Sequence, residues 1–255
     1  MQTISKNLYI SIMDDIISIS VNVKESASLA SCISANKKHL IQELHINGYY
    51  CAEIDDLFIK SMCNTIDKDG KRSGGQLEIL DFSGADVRCY KHPGLKDKKY
   101  FSYSSFNGCI TLKQIKLGRL QEVNSHMFSG CISLESIISN YDPFAHKNGI
   151  LYQKGCYTQD NKYLGYEYGK WKLVKYPSAH QNPKDIDFNL INEIADYAFE
   201  DFKGTDLYLP DIPPACSKYA FHNVDVTKIS IHVPKDSRNS YWSHPVWGEF
   251  YMAEE

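Results

Sequence analysis

Apolar residues return along this chain in short sets with the spacing x-L-x-x-L-x-L. The clearest are Leu112, Ile115 and Leu117; Leu77, Leu80 and Phe82; and Ile41, Leu44 and Ile46. The last two members of each set are two residues apart, the period of a strand that shows one face to a core and the other to solvent. Around these strands a longer rhythm runs. Phe106, Gly108, Cys109, Leu112 and Ile115 come back as Phe128, Gly130, Cys131, Leu134 and Ile137, all at an offset of 22 residues. Ala198-Phe199 likewise returns as Ala220-Phe221, and Leu207 and Leu209 as Ile229 and Ile231.

A fixed period of this length, carrying that apolar spacing, predicts stacked repeats of the leucine-rich kind. One coil cannot bury its apolar face alone, so about six stacked coils would share a continuous core, closed at both ends. The fold class expected is an α/β repeat solenoid, a right-handed superhelix of mostly short parallel strands. Residues 1–40 are expected to cap its N-terminal end as a hairpin plus helix, and residues 41–255 to form the solenoid.

Within the cap, Leu8, Ile10 and Ile12 alternate, Asp14-Asp15 makes a turn, and Ile17, Ile19, Val21 and Val23 alternate again. Residues 26–35 read as a helix with Leu29, Cys32 and Ile33 on one side. Residues 54–63 read as another, with Leu57, Phe58 and Met62 inward. Residues 66–76 are polar and glycine-containing, and read as a loop. The rhythm breaks between Phe128 and Phe199, where NGILYQKG and WKLVKYP suggest a β-hairpin inserted over about 141–187. An aromatic cap over 234–255, using Trp242, Trp247 and Phe250, is expected to seal the last coil.

Composition adds limits. With 43% hydrophobic and 23% charged residues the chain reads as an ordinary globular protein. A net charge of -3, without a basic run interleaved with aromatics, argues against nucleic acid as a partner. No apolar run reaches the ~18 residues of a membrane-spanning helix. The start, MQTISKNLYISIMDDIISIS, does not read as a signal peptide, since Asp14 and Asp15 break its apolar segment. Leu29-Ala30-Ser31-Cys32 has the form of a lipoprotein cleavage site, but the VNVKESAS before it is polar and charged.

Eight cysteines and nine histidines show no zinc-site spacing, and no cofactor or metal is expected. The position three after the repeat phenylalanine holds Cys109, Cys131, Phe202 and Val224, so the first two are read as buried thiols filling an apolar place. A bridge between them is also conceivable, because adjacent coils lie about 5 Å apart. There is no H-E-x-x-H, G-x-S-x-G or P-loop. Asp55-Asp56 reads as a helix start, and Asp185 and Asp187 as a solvated turn. The chain is not expected to be an enzyme.

The segments FNGCITLKQIKL, FSGCISLESIIS, ADYAFEDFKGTDLYLP and YAFHNVDVTKISIHVP resemble the repeat of the BspA-like, or Treponema-type, leucine-rich repeat proteins of bacterial surfaces. The resemblance runs over residues 25–251. It takes in the opening SLASCISANKKHLIQELHINGYYCAEIDDLFIKSM with GQLEILDFSGADV, the hairpin NGILY with LVKYP, and the ending VPKDSRNSYWSHPVWGEF. It implies an extracellular or cell-surface protein that binds something, since members of the family are associated with adhesion. The start as written is equally compatible with a truncated reading frame, a removed leader and a cytoplasmic chain.

Two surfaces are expected to bind. If the apolar strand positions point inward, the residues between them point out: Glu43 and His45, Ile79 and Asp81, Gln114 and Lys116, Ser136 and Ile138, Asp206 and Tyr208, Lys228 and Ser230. The second is the aromatic excursion, with Tyr163, Tyr166, Tyr168 and Trp171, since tyrosine and tryptophan favour interfaces. An ordinary solvated sheet and cross-strand hairpin packing explain the same residues. The function expected is a non-catalytic module binding a protein or glycan ligand, with a scaffold or spacer segment of a larger surface protein as the alternative. The sequence leaves the oligomeric state open.

Overall fold

Leu44, Leu80, Ile115 and Ile137, picked out above by their spacing, stand side by side on neighbouring strands of the computed structural model. The structure describes residues 8–13, 16–66, 69–88, 99–155 and 171–253, with the backbone alone for 8–13 and 66. The chain divides into two compact units, Met1–Tyr141 and Asp142–Glu255.

In the first unit β1 (Leu8–Met13) and β2 (Ile16–Val23) pair antiparallel, Leu8 opposite Val21 and Met13 opposite Ile16. The short helix α1 (Leu29–Cys32) follows, and then β3 (Glu43–Cys51), α2 (Ala52–Met62) and the small antiparallel pair β4 (Asn64–Ile66) and β5 (Arg72–Gly74). β5 lies inside the stretch where a loop was expected, because Arg72, Ser73 and Gly74 are all exposed and carry no apolar alternation. β6 (Ile79–Arg88), β7 (Gln114–Leu117) and β8 (Ser136–Ser139) complete a sheet of order β1-β2-β3-β6-β7-β8, parallel from β2 onward.

The inward row of this sheet is Ile19, Leu44, Leu80, Ile115 and Ile137, in register and all buried. Phe82, Phe106 and Phe128 pack behind it, the last two stacked at 6.0 Å, with Leu112, Leu134, Cys109 and Cys131 fully buried beside them. Successive coils are joined on the returning side as well, where Phe106 N–H donates to Met127 O and Gly108 N–H to Ser129 O.

In the second unit β9 (Phe144–Lys147), β10 (Ile150–Lys154), β11 (Trp171–Lys175), β12 (Ile191–Ile194) and β14 (Ala215–Cys216) make one sheet. β9, β10 and β11 are antiparallel, whereas β11, β12 and β14 are parallel. β13 (Asp206–Tyr208), β15 (Ser230–His232) and β16 (Tyr251–Met252) make a parallel three-stranded sheet, with α3 (Arg238–Trp242) between the last two in sequence. The repeat partners Phe199 and Phe221 stack at 4.7 Å, whereas Leu207 pairs with Ile231 and not, as the 22-residue offset predicted, with Ile229.

The backbone two residues after each repeat phenylalanine is left-handed: φ is 77° at Gly108, 71° at Gly130, 58° at Asp201 and 60° at Asn223. Glycine, aspartate and asparagine are the residue types that enter this region at least strain. The returning half of each coil therefore turns by the same device whichever of the three it carries.

Few helices occur among the described residues, and the returning sides of the repeats are turns and single 3-10 turns. α2 buries Ala52, Asp55, Asp56, Ile59 and Met62. Leu57, expected inward, is 74% exposed, and Phe58 is half-buried under the Lys38 ammonium. Met62 is buried as expected, but the buried stripe also contains two aspartates, which apolar periodicity does not score, and Leu57 falls outside it. Cys32 is likewise only partly buried, while Leu29 and Ile33 are inside. Trp242, expected to seal the last coil, is 60% exposed, and the closure is made by Tyr241, Trp247 and Phe250.

Candidate functional site

Strand alternation puts two rows of side chains on the outward face of the first unit's parallel sheet. One is Ser18, Glu43, Ile79, Gln114 and Ser136; the other is Ser20, His45, Asp81, Lys116 and Ile138. All ten are partly exposed. The sheet thus gathers Glu43, His45, Asp81, Gln114, Lys116 and Ser136, residues from four different strands, on one surface.

Asp81 is the hub of this surface. Its Oδ2 lies 3.2 Å from His45 Nδ1 and 3.3 Å from Lys116 Nζ, while Ser83 N–H donates to its Oδ1. Glu43 Oε2 lies 3.9 Å from His45 Nε2, and Gln114 Nε2 donates to Ser136 Oγ at 3.0 Å. Burial pushes the Asp81 carboxyl up, but His45, Ser83 and the Lys116 charge outweigh it and hold it well below the usual carboxylate range. The hydrogen bond with Asp81 raises His45, with burial opposing.

These shifts fix a pH window. Asp81's contribution to stability is complete above the unfolded carboxylate value of about 3.9 and is lost as pH falls through its lower folded value. His45's contribution is complete below about 6.5 and is lost as pH rises through its higher folded value. The pair stabilises the sheet most between about pH 4 and 6.5. Asp81→Asn is therefore expected to return the His45 titration midpoint, followed by its imidazole NMR resonances, toward the ordinary histidine value. An unmoved midpoint would mean that Asp81 does not set it.

The second unit's three-stranded sheet presents its own outward face. Asp206, Ser230 and Tyr251 stand in one row, and Tyr208 and His232 in the next. His232 Nε2 lies 2.8 Å from Asp206 Oδ1, and its ring stacks on Tyr208 at 4.5 Å. The Lys184 ammonium lies 4.7 Å from the Tyr208 ring centre. The hydrogen bonds with His232 and Thr205 hold the Asp206 carboxyl below its usual range. Lys228, expected on this ladder, sits on the 3-10 turn before β15, exposed and paired with Asp225 at 3.1 Å.

Of the aromatic excursion, Tyr163, Tyr166 and Tyr168 lie outside the described residues. Trp171 starts β11, half-buried, 5.7 Å from the Tyr152 ring and beneath the Lys154 ammonium. His232 was missed by the sequence reading, although the alternation Ser230, His232 continues the outward row. Asp55 and Asp56 were read as a helix start; they do lie near the start of α2, and both are buried. Asp55 accepts from Leu29 N–H and Cys51 N–H; Asp56 accepts from the hydroxyls of Tyr50, Ser102 and Ser105.

Among the described residues no group of three or more His, Cys, Asp or Glu side chains is placed to hold a metal ion. Among them, too, no helix is long and apolar enough to cross a membrane. The two sheet faces are open polar and aromatic surfaces, suited to contact with a ligand that lies across strands.

The chain is similar to known repeat proteins. Residues 94–150 and 179–242 match the family model of the BspA type leucine rich repeat region, in six copies. Among solved structures, a leucine rich cell surface protein from Faecalibacterium prausnitzii is 13% identical, with a TM-score of 0.37, over 92% of this chain and 76% of that one. A leucine-rich repeat protein from Eubacterium ventriosum is 15% identical, with a TM-score of 0.34, over 91% of this chain and 65% of that one. The chain thus spans less than two thirds of the length of the second. A comparison with curated proteins finds no match. The register of stacked phenylalanines and the shared left-handed turn agree with that match: over residues 94–150 and 179–242 the chain carries repeats of the BspA leucine-rich type.

Proposed function

We propose that this chain is a non-catalytic binding module that takes a protein or glycan ligand on the outward faces of its sheets, and that it works at the cell surface, the location its family resemblance implies. The observation that supports this reading is the in-register pair of rows on the first unit, in which ten partly exposed side chains from five strands share one surface. Repeat proteins present extended surfaces of this kind to their partners. Tyr208 and Tyr251, both exposed, give the second unit's face the aromatic contact area that interfaces favour.

A screen of the folded chain against matrix proteins and glycans tests the reading, repeated with Lys116→Ala and Tyr208→Ala. For whichever ligand is retained, at least one of the two is expected to weaken binding about tenfold or more. Leu57→Ser, on the exposed side of α2, is expected to leave binding unchanged. No retained ligand, or equal loss from all three variants, would sink the reading.

A spacer role has one observation in its favour. His45, Asp81 and Lys116 already satisfy one another, so a ligand must compete with ion pairs made within the sheet. Under that reading the folded chain retains nothing in the screen.

A further inference from the structure

Cys109 and Cys131 hold equivalent places in successive repeats, and both are fully buried, but their thiols meet different partners. The Cys131 thiol donates to the Phe106 carbonyl oxygen at 3.0 Å. The Cys109 thiol lies against the thiol of Cys63, and that contact, together with burial, pushes it well above the usual thiol range. Cys63 is the residue that ends α2, where its N–H bonds to the carbonyls of Ile59 and Lys60.

The backbone explains why these two meet. Ile110 N–H donates to Asn64 O at 2.9 Å, and Asn64 N–H donates to Thr111 Oγ1 at 3.0 Å. Each cysteine therefore immediately precedes a residue hydrogen-bonded to the other segment. On its other side Cys63 is held just as closely. Gly75 N–H donates to its carbonyl oxygen at 3.1 Å, and a Cβ on Gly74 would come within 1.9 Å of that oxygen. The two thiols are thus brought together by segments fixed on both flanks, and both side chains are 0% exposed.

We propose that Cys63 and Cys109 are a cross-linking site, joined as a disulfide when the chain folds in the presence of a disulfide-bearing oxidant such as oxidised glutathione. One cysteine thiolate attacks the oxidant's disulfide, forming a mixed disulfide and releasing one oxidant thiol. The other cysteine then attacks the protein sulfur of that mixed disulfide, the Sγ–Sγ bond forms, and the second oxidant thiol leaves. Two electrons and two protons pass from the cysteine pair to the oxidant.

The burial of both thiols fixes when this happens. The thiolate is the reactive form, and in the folded, reduced chain neither sulfur is reachable from solvent. The bond therefore forms before the core closes, and a chain that has folded reduced stays reduced. Once made, it closes the segment 63–109 into a loop and ties the end of α2 to the first clear repeat. A long closed loop restricts the unfolded chain strongly, so the bridged form is expected to be the more stable.

The experiment uses the full chain, unfolded and reduced, then refolded either in oxidised and reduced glutathione or in reduced glutathione alone. Free thiols are alkylated in denaturant, and the protein is digested and mapped by mass spectrometry without reduction. The oxidative sample is expected to contain one peptide pair joining Cys63 to Cys109, short of two hydrogens, with Cys131 alkylated. The reduced sample is expected to have all three alkylated, and the oxidative sample to melt several degrees higher. Cys131→Ser is expected to keep both the bridge and the rise in melting temperature; Cys63→Ala is expected to lose both. Alkylated Cys63 and Cys109 in a folded oxidative sample, Cys109 joined to Cys131, scrambled pairings, or a melting rise that survives Cys63→Ala would each overturn the proposal.

Discussion

Trp247→Ala is expected to lower the stability of the second unit by about 3 to 5 kcal/mol, the range for emptying a fully buried aromatic site. Trp247 is 0% exposed. Its ring packs edge-on to Phe221 at 5.8 Å and lies 5.3 Å from Phe250, and its Nε1–H donates to Pro214 O at 3.0 Å. Phe221 is the outermost ring of the repeat stack, with Phe199 beneath it. Alanine therefore opens a cavity against the last coil and strips a buried carbonyl of its donor. Trp247→Phe keeps most of the volume and loses the hydrogen bond, which places it nearer about 1 to 3 kcal/mol. Trp242→Ala, five residues away and largely exposed, is expected to change stability by less than about 0.5 kcal/mol. Denaturant unfolding followed by circular dichroism gives the three values. Hydrogen exchange at the Phe199 amide, which donates to Ala220 O, then assigns the loss to this unit. A larger loss for Trp242→Ala than for Trp247→Ala would overturn this account of the closure.

The contrast between these two tryptophans marks how far the sequence could be read. Phe106, Phe128, Phe199 and Phe221 announced the repeat because each copy meets the same neighbours, and identical surroundings select identical residues. The outward rows were legible for the same reason: in a strand of fixed register, knowing one inward residue assigns its neighbours outward. Asp201 and Asn223, in contrast, do not look like Gly108 and Gly130. Their shared property is tolerance of a left-handed backbone, which a residue-by-residue match does not score.

Where the chain leaves the repeat, the reading weakened for a different reason. The ending YWSHPVWGEF offers two tryptophans of equal hydrophobicity, and only the path from α3 to β16 decides which one faces the coil. In α2, an amphipathic pattern was present, but apolar periodicity is blind to a buried face that carries Asp55 and Asp56. The partners that make those carboxylates tolerable lie far off in sequence, at Leu29, Ser102 and Ser105. The candidate binding surface was thus more legible than the polar core. Its geometry depends on local alternation, whereas the polar core depends on contacts the sequence does not order.

Asp56 carries the second large expected effect. Its carboxylate is buried and accepts from three hydroxyls, Tyr50 at 2.8 Å, Ser102 at 2.8 Å and Ser105 at 2.5 Å. Asp56→Ala takes the acceptor from these three hydroxyls, of which Tyr50 and Ser105 are fully buried, and is expected to destabilise the first unit by about 3 kcal/mol or more. Asp56→Asn keeps the shape and one acceptor oxygen, so its loss should be smaller, and its pH dependence is the more telling measurement. Burial raises the Asp56 carboxyl above its usual value, against the opposing hydrogen bonds from Ser105, Tyr50 and Ser102. For a carboxyl raised on folding, the group's contribution declines as pH climbs from the unfolded value of about 3.9 through the folded one. The stability gap between the wild-type chain and Asp56→Asn is therefore expected to shrink as pH rises through that window. A gap that widened instead would mean that the three hydroxyls outweigh burial, and that the charged form is the one the core was built to hold.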